Sequence, residues 1–391
     1  MKTLHLLGHN HKWNLDAHFQ NEVGEGFVFC AYSFENGFAE RETLSGYKMN
    51  DVLKTSMLDL QFFGKKDSAD LEAGKLKSYE FHPCTFVGDT GTNEYVLTAI
   101  KNAIKYQIGL GLQDIIIPNY YENENIEQFI GLIKNVNKWL EKNKKGGHRY
   151  FMSVPITNHT IIDSDKIEKI LYALTDRSIL FDGYYIVCES KPEFKQKIST
   201  DIKYLRNLTK VLSVLKKQNF ITVYAYANWD AAIFLTLTDI DYITIGSYEN
   251  LRNFNIKRFL STEDGGPSKG WYFSEKLLNF VKAQFIDLIR EKRCIPLVSN
   301  ERNMFSDIIL DANFPWNNHK PEVHKNYLLA ANKLYYELAA EKNMDKRKYM
   351  MLKKINSASE NYAKLEEQKV FLLEESKNYH LAVWESFLLS R

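Results

Sequence analysis

Seven stretches of the chain are almost continuously apolar. They fall at 27–34 (FVFCAYSF), 57–63 (MLDLQFF), 114–120 (DIIIPNY), 150–158 (YFMSVPITN), 184–190 (YYIVCES), 221–228 (ITVYAYAN) and 242–248 (YITIGSY). Strands covered on both faces read this way, whereas half-exposed strands alternate. Between them lie segments with apolar residues at helical spacing, at 95–109, 126–143, 164–174, 200–217 and 230–237. In 126–143 the stripe is Phe129, Ile130, Ile133, Val136 and Leu140, one face of an amphipathic helix. An earlier segment, 40–54, also reads as helical. Strand and helix alternate at lengths that suit parallel crossovers. The stretch 221–252 shows this most clearly, as strand, helix, strand.

A last strand is expected within 258–262 or at 271–273, with a helix over 274–290 closing the ring. The sum is about eight strand–helix units, which predicts an α/β fold, a TIM-like (β/α)8 barrel, spanning residues 26–300. An open doubly wound sheet is the alternative, but no glycine-rich phosphate fingerprint follows an early strand. Residues 1–25 read as a polar, His-rich lead-in. Residues 64–90 read as a long loop, a length that usually carries function or a subdomain. Residues 301–391 read as a helical C-terminal extension, with helices near 322–341, 346–374 and 376–389. No strict heptad persists there, so a helical hairpin on the barrel or on a partner is expected rather than a long coiled coil.

Composition narrows the class. The chain has 391 residues, 45% hydrophobic and 14% aromatic, which excludes a disordered or low-complexity protein. Its 51 basic and 49 acidic residues nearly cancel. A field for nucleic acid is therefore not expected, although Lys65, Lys66 and the lysine clusters at 142–145 and 346–348 leave local contact open. Cysteines stand at 30, 84, 188 and 294, neither a disulfide framework nor a zinc spacing. Free thiols point to a cytoplasmic protein. The N-terminus lacks a signal-peptide apolar run, and no window has the roughly 18 apolar residues of a membrane helix. His9 and His11 share a face if extended, but further metal ligands would have to come from elsewhere. No cofactor is predicted, and the metal requirement is left open.

The chemistry must then come from strand ends. The chain has no G-x-S-x-G, H-E-x-x-H, P-loop or C-x-x-C motif. In a (β/α)8 barrel the carboxyl ends of the strands gather at one mouth. Polar residues end up there: Ser33, Glu35, Asp59, Gln61, Asn119, Tyr120, Thr157, Asn158, His159, Glu189, Tyr226, Asn228, Asp230, Ser247, Glu249, Asn250 and Arg252. Alternation puts Asp59 and Gln61 on the same face of their strand. Asp59 and Glu189 are the expected acid and base, with Glu249 a third carboxylate candidate. Gln61, Asn119, Asn158, Tyr226, Asn228 and Arg252 are the expected substrate-binding residues. Asp230 suits a helix N-cap before AAIFL, and Glu249 suits the start of a helix.

Tyr224, Tyr226 and Asn228 share a strand face, and an aromatic pocket with an amide suits a sugar or nucleobase. An Asp and a Gln on an early strand resemble the base-exchanging barrels of the tRNA-guanine transglycosylase type. That family carries a Cys/His zinc cluster, which the scattered cysteines here do not supply by spacing, and membership is not assigned. Gly265, Gly266 and Lys269, near the expected last strand, are candidates for phosphate binding. The expectation is a hydrolase or transferase that cleaves a glycosidic or nucleosidic bond by carboxylate acid–base chemistry, on a small sugar- or nucleoside-type substrate. The alternative is a non-catalytic barrel scaffold that engages a protein partner through residues 301–391.

Overall fold

A computed structural model describes residues 1–63, 74–83, 93–119, 126–259 and 270–391. Among these, eight strands form one parallel sheet. They are β1 (Lys2–Leu7), β2 (Gly26–Cys30), β3 (Ser56–Asp59), β4 (Asp114–Ile117), β5 (Arg149–Ile156), β6 (Gly183–Cys188), β7 (Ile221–Ala225) and β8 (Tyr242–Gly246). The hydrogen-bonded order is β3-β2-β1-β8-β7-β6-β5-β4. The end strands β3 and β4 approach each other, so the sheet rolls into a nearly closed (β/α)8 barrel. The first and last strands pair, with Leu4 opposite Thr244 and His5 opposite Ile245.

Helices cover the outside: α1 (Lys12–Asn21), α2 (Met49–Leu53), α3 (Asn93–Gly109), α4 (Ile126–Asn143), α5 (Ser164–Leu174), α6 (Ile202–Lys217) and α7 (Ala231–Leu237). The strands are as apolar as they are because both faces are covered. In α6, Leu205, Leu208, Val211, Leu212 and Leu215 are buried, and the Asp201 side chain caps the N-terminus by accepting from the N–H groups of Lys203 and Tyr204. Asp163 caps α5 in the same way.

Three boundaries differ from the sequence reading. The expected lead-in at 1–25 contains β1 and α1. Its polar residues concealed a buried strand, because the outward face of β1 carries Thr3 and His5. Thr3 Oγ1 donates to Asn332 Oδ1 at 2.5 Å. His5 Nε2 lies 2.7 Å from the Val23 carbonyl and its Nδ1 lies 3.1 Å from Asn14 Nδ2. Burial holds the His5 imidazole neutral, with its pKa pushed down to about 3.

The expected last strand is also not in the ring. Residues 271–274 form β9 (Trp271–Ser274), which pairs antiparallel with β10 (Asn279–Lys282) as a separate hairpin. Described residues near 258 lie in a 3-10 turn, Ile256–Phe259. The segment 40–54 is helical only in α2. Thr43–Leu44 and Tyr47–Lys48 pair with each other as a small antiparallel ladder.

The third difference concerns closure of the outer layer. After β10 come α8 (Ala283–Glu291), α9 (Met304–Leu310), α10 (Pro321–Ala340), α11 (Met344–Glu367) and α12 (Leu381–Leu389). It is α10, not a helix over 274–290, that packs between α7 and α1 and against β8. Lys325 Nζ lies 3.2 Å from Asp16 Oδ2 of α1, and Tyr335 OH donates to the Asn228 carbonyl at 2.7 Å. The barrel therefore borrows its eighth helix from the expected extension, and residues 247–320 are an insertion between β8 and that helix.

Register decides which side chains face the interior. Cys30 pairs with Asp59 across β2 and β3, and Ser153, Tyr185 and Val223 are partners across β5, β6 and β7. These point inward, while Tyr184 points out and donates to the Leu174 carbonyl of α5. At the amino end of the barrel, Arg149 makes a two-pronged bond to Asp114, 2.7 Å for each arm, and reaches Tyr242 OH at 3.2 Å.

Candidate functional site

Asp59 is the last residue of β3 and projects into the barrel. Its Oδ1 accepts from the Gln61 N–H at 2.9 Å. Its Oδ2 accepts from Tyr185 OH of β6 at 3.1 Å and from Tyr226 OH, just past β7, at 3.2 Å. The Gln61 amide completes the ring of bonds. Its Nε2 donates to Tyr226 OH at 2.6 Å and its Oε1 accepts from the Tyr32 N–H at 2.8 Å. Asp59, Gln61 and Tyr226 are 1%, 1% and 3% exposed.

Burial pushes the Asp59 carboxyl up to about 7, against the opposing pull of the bonds from Gln61, Tyr185 and Tyr226. Among the described residues no cation pairs with it, and desolvation is the largest influence on its protonation. Burial and the nearby Asp59 charge raise the Tyr185 and Tyr226 phenols, which stay protonated and donate. Cys30 is raised by the same two causes and stays a thiol, so it is not a ready nucleophile.

The backbone here is strained. Gln61 and Tyr226 have φ of 54° and 53°, the left-handed region that costs a non-glycine residue roughly 1–2 kcal/mol. Both are held by the bonds just described, and both aim a polar group at Asp59. His82 supports β3 from behind. Its Nε2 lies 2.8 Å from the Leu60 carbonyl, and burial lowers its pKa to about 4.

Aromatic rings cover the network. Phe254 lies 5.5 Å from the Tyr226 ring, and Phe63 lies 5.1 Å from Phe254 and 5.4 Å from Phe259. The Arg258 guanidinium lies 4.7 Å from the Tyr32 ring centre and donates to the Asn250 carbonyl at 3.3 Å. Its charge reaches Cys30 and Tyr226 and opposes, without reversing, the rise that burial imposes on both.

The other expected site residues are spread over several places. Glu189 makes no hydrogen bond or ion pair with Asp59 among the described residues. Its Oε2 accepts from the Asn158 N–H at 3.1 Å and its Oε1 from the Ile256 N–H at 3.3 Å. Asn158 begins a short helical turn after β5, capped by Thr157. Glu249 pairs with Lys197 at 2.6 Å. Burial works against its anion, but Lys197 and Arg252 hold the carboxyl below its usual range. Arg252 is buried, 4.8 Å from the Phe280 ring centre and 4.4 Å from that of Tyr327, and donates to the Ser247 carbonyl.

Asn228 is buried and tied to neighbouring backbone. Its Oδ1 accepts from the Trp229 N–H at 3.1 Å, and its Nδ2 donates to the Lys197 carbonyl at 3.4 Å. Asn119 is fully buried just past the end of β4, and among the described residues neither amide atom has a hydrogen-bond partner. Gly265, Gly266 and Lys269 lie outside the described residues, as do Lys65, Lys66, Cys84 and Tyr120.

Asp230 does not act as the expected cap. Its side chain makes no capping hydrogen bond to α7, it is buried, and among the described residues its Oδ1 has no partner, the N–H groups of Asp230 and Ala231 being the ones that favour its anion. Burial raises it to about 7. The hydroxyls of Tyr204, Tyr224, Tyr327 and Tyr335 lie within reach of its charge.

Tyr185, Tyr32, Phe254 and Arg258 were not expected at the site. For Tyr185 a signal existed, since period-2 counting puts Tyr184 and Tyr185 on opposite faces. Which of the two meets Asp59 depends on register across four strands. A groove of about 980 Å³ on the outer wall, lined by Ile130, Lys134, Lys138, Lys166, Lys169 and Tyr172, holds none of the strand-end residues.

Among the described residues no group of three or more His, Cys, Asp or Glu side chains is arranged to hold a metal ion. None of their helices is long and apolar enough to cross a membrane. No protein-family model matches the sequence, and a comparison with curated proteins returns no significant match. A carboxyl that burial pushes up to about 7, oriented by two phenols and an amide beneath aromatic rings, is equipped to give or take a proton.

Proposed function

We propose that the protein is an enzyme acting on a glycosidic or nucleosidic bond, as a hydrolase or transferase, with Asp59 as the proton-transfer group. The observation that carries this reading is the Asp59 carboxyl itself. It is poised near pH 7 at the carboxyl end of a barrel strand, between two phenols, and steadied by two residues in strained backbone. Strain of this kind gathers at functional sites. Protonated Asp59 serves a departing oxygen or ring nitrogen as general acid, and the anion serves an attacking hydroxyl as general base. Gln61 and Tyr226 position the substrate. The rings of Tyr32, Phe63, Phe254 and Phe259 suit the faces of a sugar or nucleobase. Glu189 is not retained as the second catalytic carboxylate, because both its oxygens hold main-chain N–H groups. The buried free thiols Cys30, Cys188 and Cys294 favour a cytoplasmic setting.

The test is turnover of a panel of nitrophenyl glycosides and nucleosides, read as nitrophenol or free base. Asp59→Asn is expected to lower kcat/KM by about 10²–10⁴, with the wild-type profile breaking near pH 7. An Asn variant as active as wild type removes Asp59 from the mechanism. No turnover across the panel removes the glycosidic reading.

One observation favours a second reading, a barrel used as a scaffold. The Asp59 network is closed off by side chains. On this reading α11 and α12 supply a protein-binding surface. Deleting residues 344–391 and finding every native assembly intact counts against it.

A further inference from the structure

We propose that His324 is a doubly protonated imidazolium in the folded protein, and that it acts as a proton-operated pin holding together the two ends of the 247–320 insertion. The proposal is independent of the reaction proposed for Asp59.

His324 lies in the first turn of α10 and is 5% exposed. Its Nδ1 lies 2.7 Å from the carbonyl of Ser247, where the insertion leaves β8. Its Nε2 lies 2.7 Å from the carbonyl of Asn318, near the insertion's far end. A neutral imidazole carries one N–H and one lone pair, so it donates to only one of two acceptors. The other nitrogen would then set its lone pair against a carbonyl oxygen at bonding distance. The imidazolium donates to both, and bonds from a charged donor are the stronger kind.

The ring is also flanked by π faces. Trp13 of α1 stacks on it with centroids 4.5 Å and planes 20° apart, and the Tyr248 ring lies 4.7 Å away. Aromatic faces attract a cation. Tyr248 is itself held, since its hydroxyl accepts from Asn10 Nδ2 at 2.6 Å.

Other groups oppose the charge. Burial, with the charges of Arg252 and His319, drives the ring down toward about 4 against both carbonyls. Arg252 Nη1 shares the Ser247 carbonyl, at 3.0 Å. Lys12, Asp16, Glu322 and Lys325 are the charged side chains of α1 and α10 closest in sequence to Trp13 and His324, and Asp16 pairs with both lysines at 3.3 and 3.2 Å. The neutral ring carries a cost of its own, a lone pair held against a carbonyl, and it forgoes the pull of the two faces. These effects decide for the cation.

Loss of the proton breaks one carbonyl bond, and the first turn of α10 then holds one end of the insertion instead of two. The folded ring keeps its proton to higher pH than the unfolded chain, whose histidines titrate near 6.5. The stability it contributes is therefore complete below about 6.5 and is lost as pH rises through the folded value.

The histidine rings of the full chain are followed by nitrogen-15 NMR across this range, with His324 identified by the signals that vanish in His324→Gln. Both of its nitrogens are expected to be protonated at pH 7 and to titrate above the ordinary value. A neutral tautomer at pH 7 overturns the pin. Hydrogen exchange of residues 321–328 gives the second readout. Protection, corrected for intrinsic exchange, is expected to fall about tenfold through the transition, as loss of a charge-assisted bond would, and to stay level in His324→Gln. Wild-type protection unchanged across the transition overturns the switch. If His324→Gln does not fold, the ring signals are identified by their contacts with Trp13, and the two wild-type measurements still decide. Neither outcome bears on Asp59, whose role rests on the turnover of its own variant.

Discussion

At the scale of single residues, two buried carboxyls dominate the electrostatics. Asp59 and Asp230 both sit near 7, chiefly because burial disfavours the anion. Their effect on stability follows from linkage. Between about pH 4 and 7 the folded chain keeps the Asp230 proton while the unfolded chain, at the ordinary 3.8, has released it. Folding stability from this group is therefore complete at low pH and is lost as pH rises through 7, by an amount on the order of 4 kcal/mol. Asp230→Asn removes that loss. Urea unfolding is expected to show the variant gaining on wild type as pH rises from 4 to 8, and a pH-independent difference would show that Asp230 is already ionised when folded. The same linkage applies to Asp59, but there Asn substitution also removes the proposed proton carrier, so the two variants separate stability from activity. Tyr226→Phe keeps the ring against Phe254 and deletes the hydroxyl. It is expected to shift the pH profile of turnover, since one bond to the Asp59 anion goes, while leaving the fold intact. A profile unchanged from wild type would place Tyr226 outside the protonation equilibrium.

At the scale of elements, the strands were legible where both faces are apolar. β4 to β8 were anticipated within a few residues, because TIM-like strands under a helical layer are near-continuous hydrophobic runs. β1 was not, because Thr3 and His5 occupy its outer face and are satisfied by partners from α1 and α10. A polar residue with a buried partner reads, in sequence, like a polar residue in water. The helices were legible through their apolar stripes, while the acidic caps Asp201 and Asp163 emerged only in the structure. Asp201 is such a cap, and Asp201→Ala is expected to destabilise the fold by about 1 kcal/mol, measurable as a lower urea midpoint at unchanged slope. Asp230 carried the same local signal and does not cap. A residue's position before a helix does not decide whether its side chain turns toward the freed N–H groups or into the core.

At the scale of the whole molecule, the distinctive feature is the borrowed eighth helix. α10 lies far from β8 in sequence yet packs between α7 and α1, with Asn326 bonding to Asn300 and Phe273 of the intervening insertion. Buried Arg347 of α11 reaches the carbonyls of Leu235 and Glu341, so the later helices reinforce α7. Removing residues 321–391 uncovers the outer faces of β8 and β1, and that fragment is expected not to fold. Removing residues 344–391 leaves the ring complete and is expected to lower the melting temperature without abolishing cooperative unfolding. Circular dichroism with thermal melts distinguishes them, and a folded fragment ending at 320 would show that α10 is not needed for closure.

By itself the sequence determined the fold class and the face on which to look for chemistry. Period and burial are local properties, and a chain of alternating apolar strands and striped helices has few ways to hide them all. Asp59 and Gln61 stood out as polar residues inside an apolar run, although Gln61 lies past the end of β3 with φ of 54° and reaches Asp59 through its backbone N–H rather than along a strand face. The tertiary structure decided everything that depends on register and closure. It chose Tyr185 over Tyr184, brought Tyr226 across the barrel to Asp59, assigned Glu189 and Glu249 to main-chain and lysine partners, and gave α10 the place of the eighth helix. Those outcomes depend on which residues stand opposite one another across strands more than a hundred positions apart, and no local pattern carries that information.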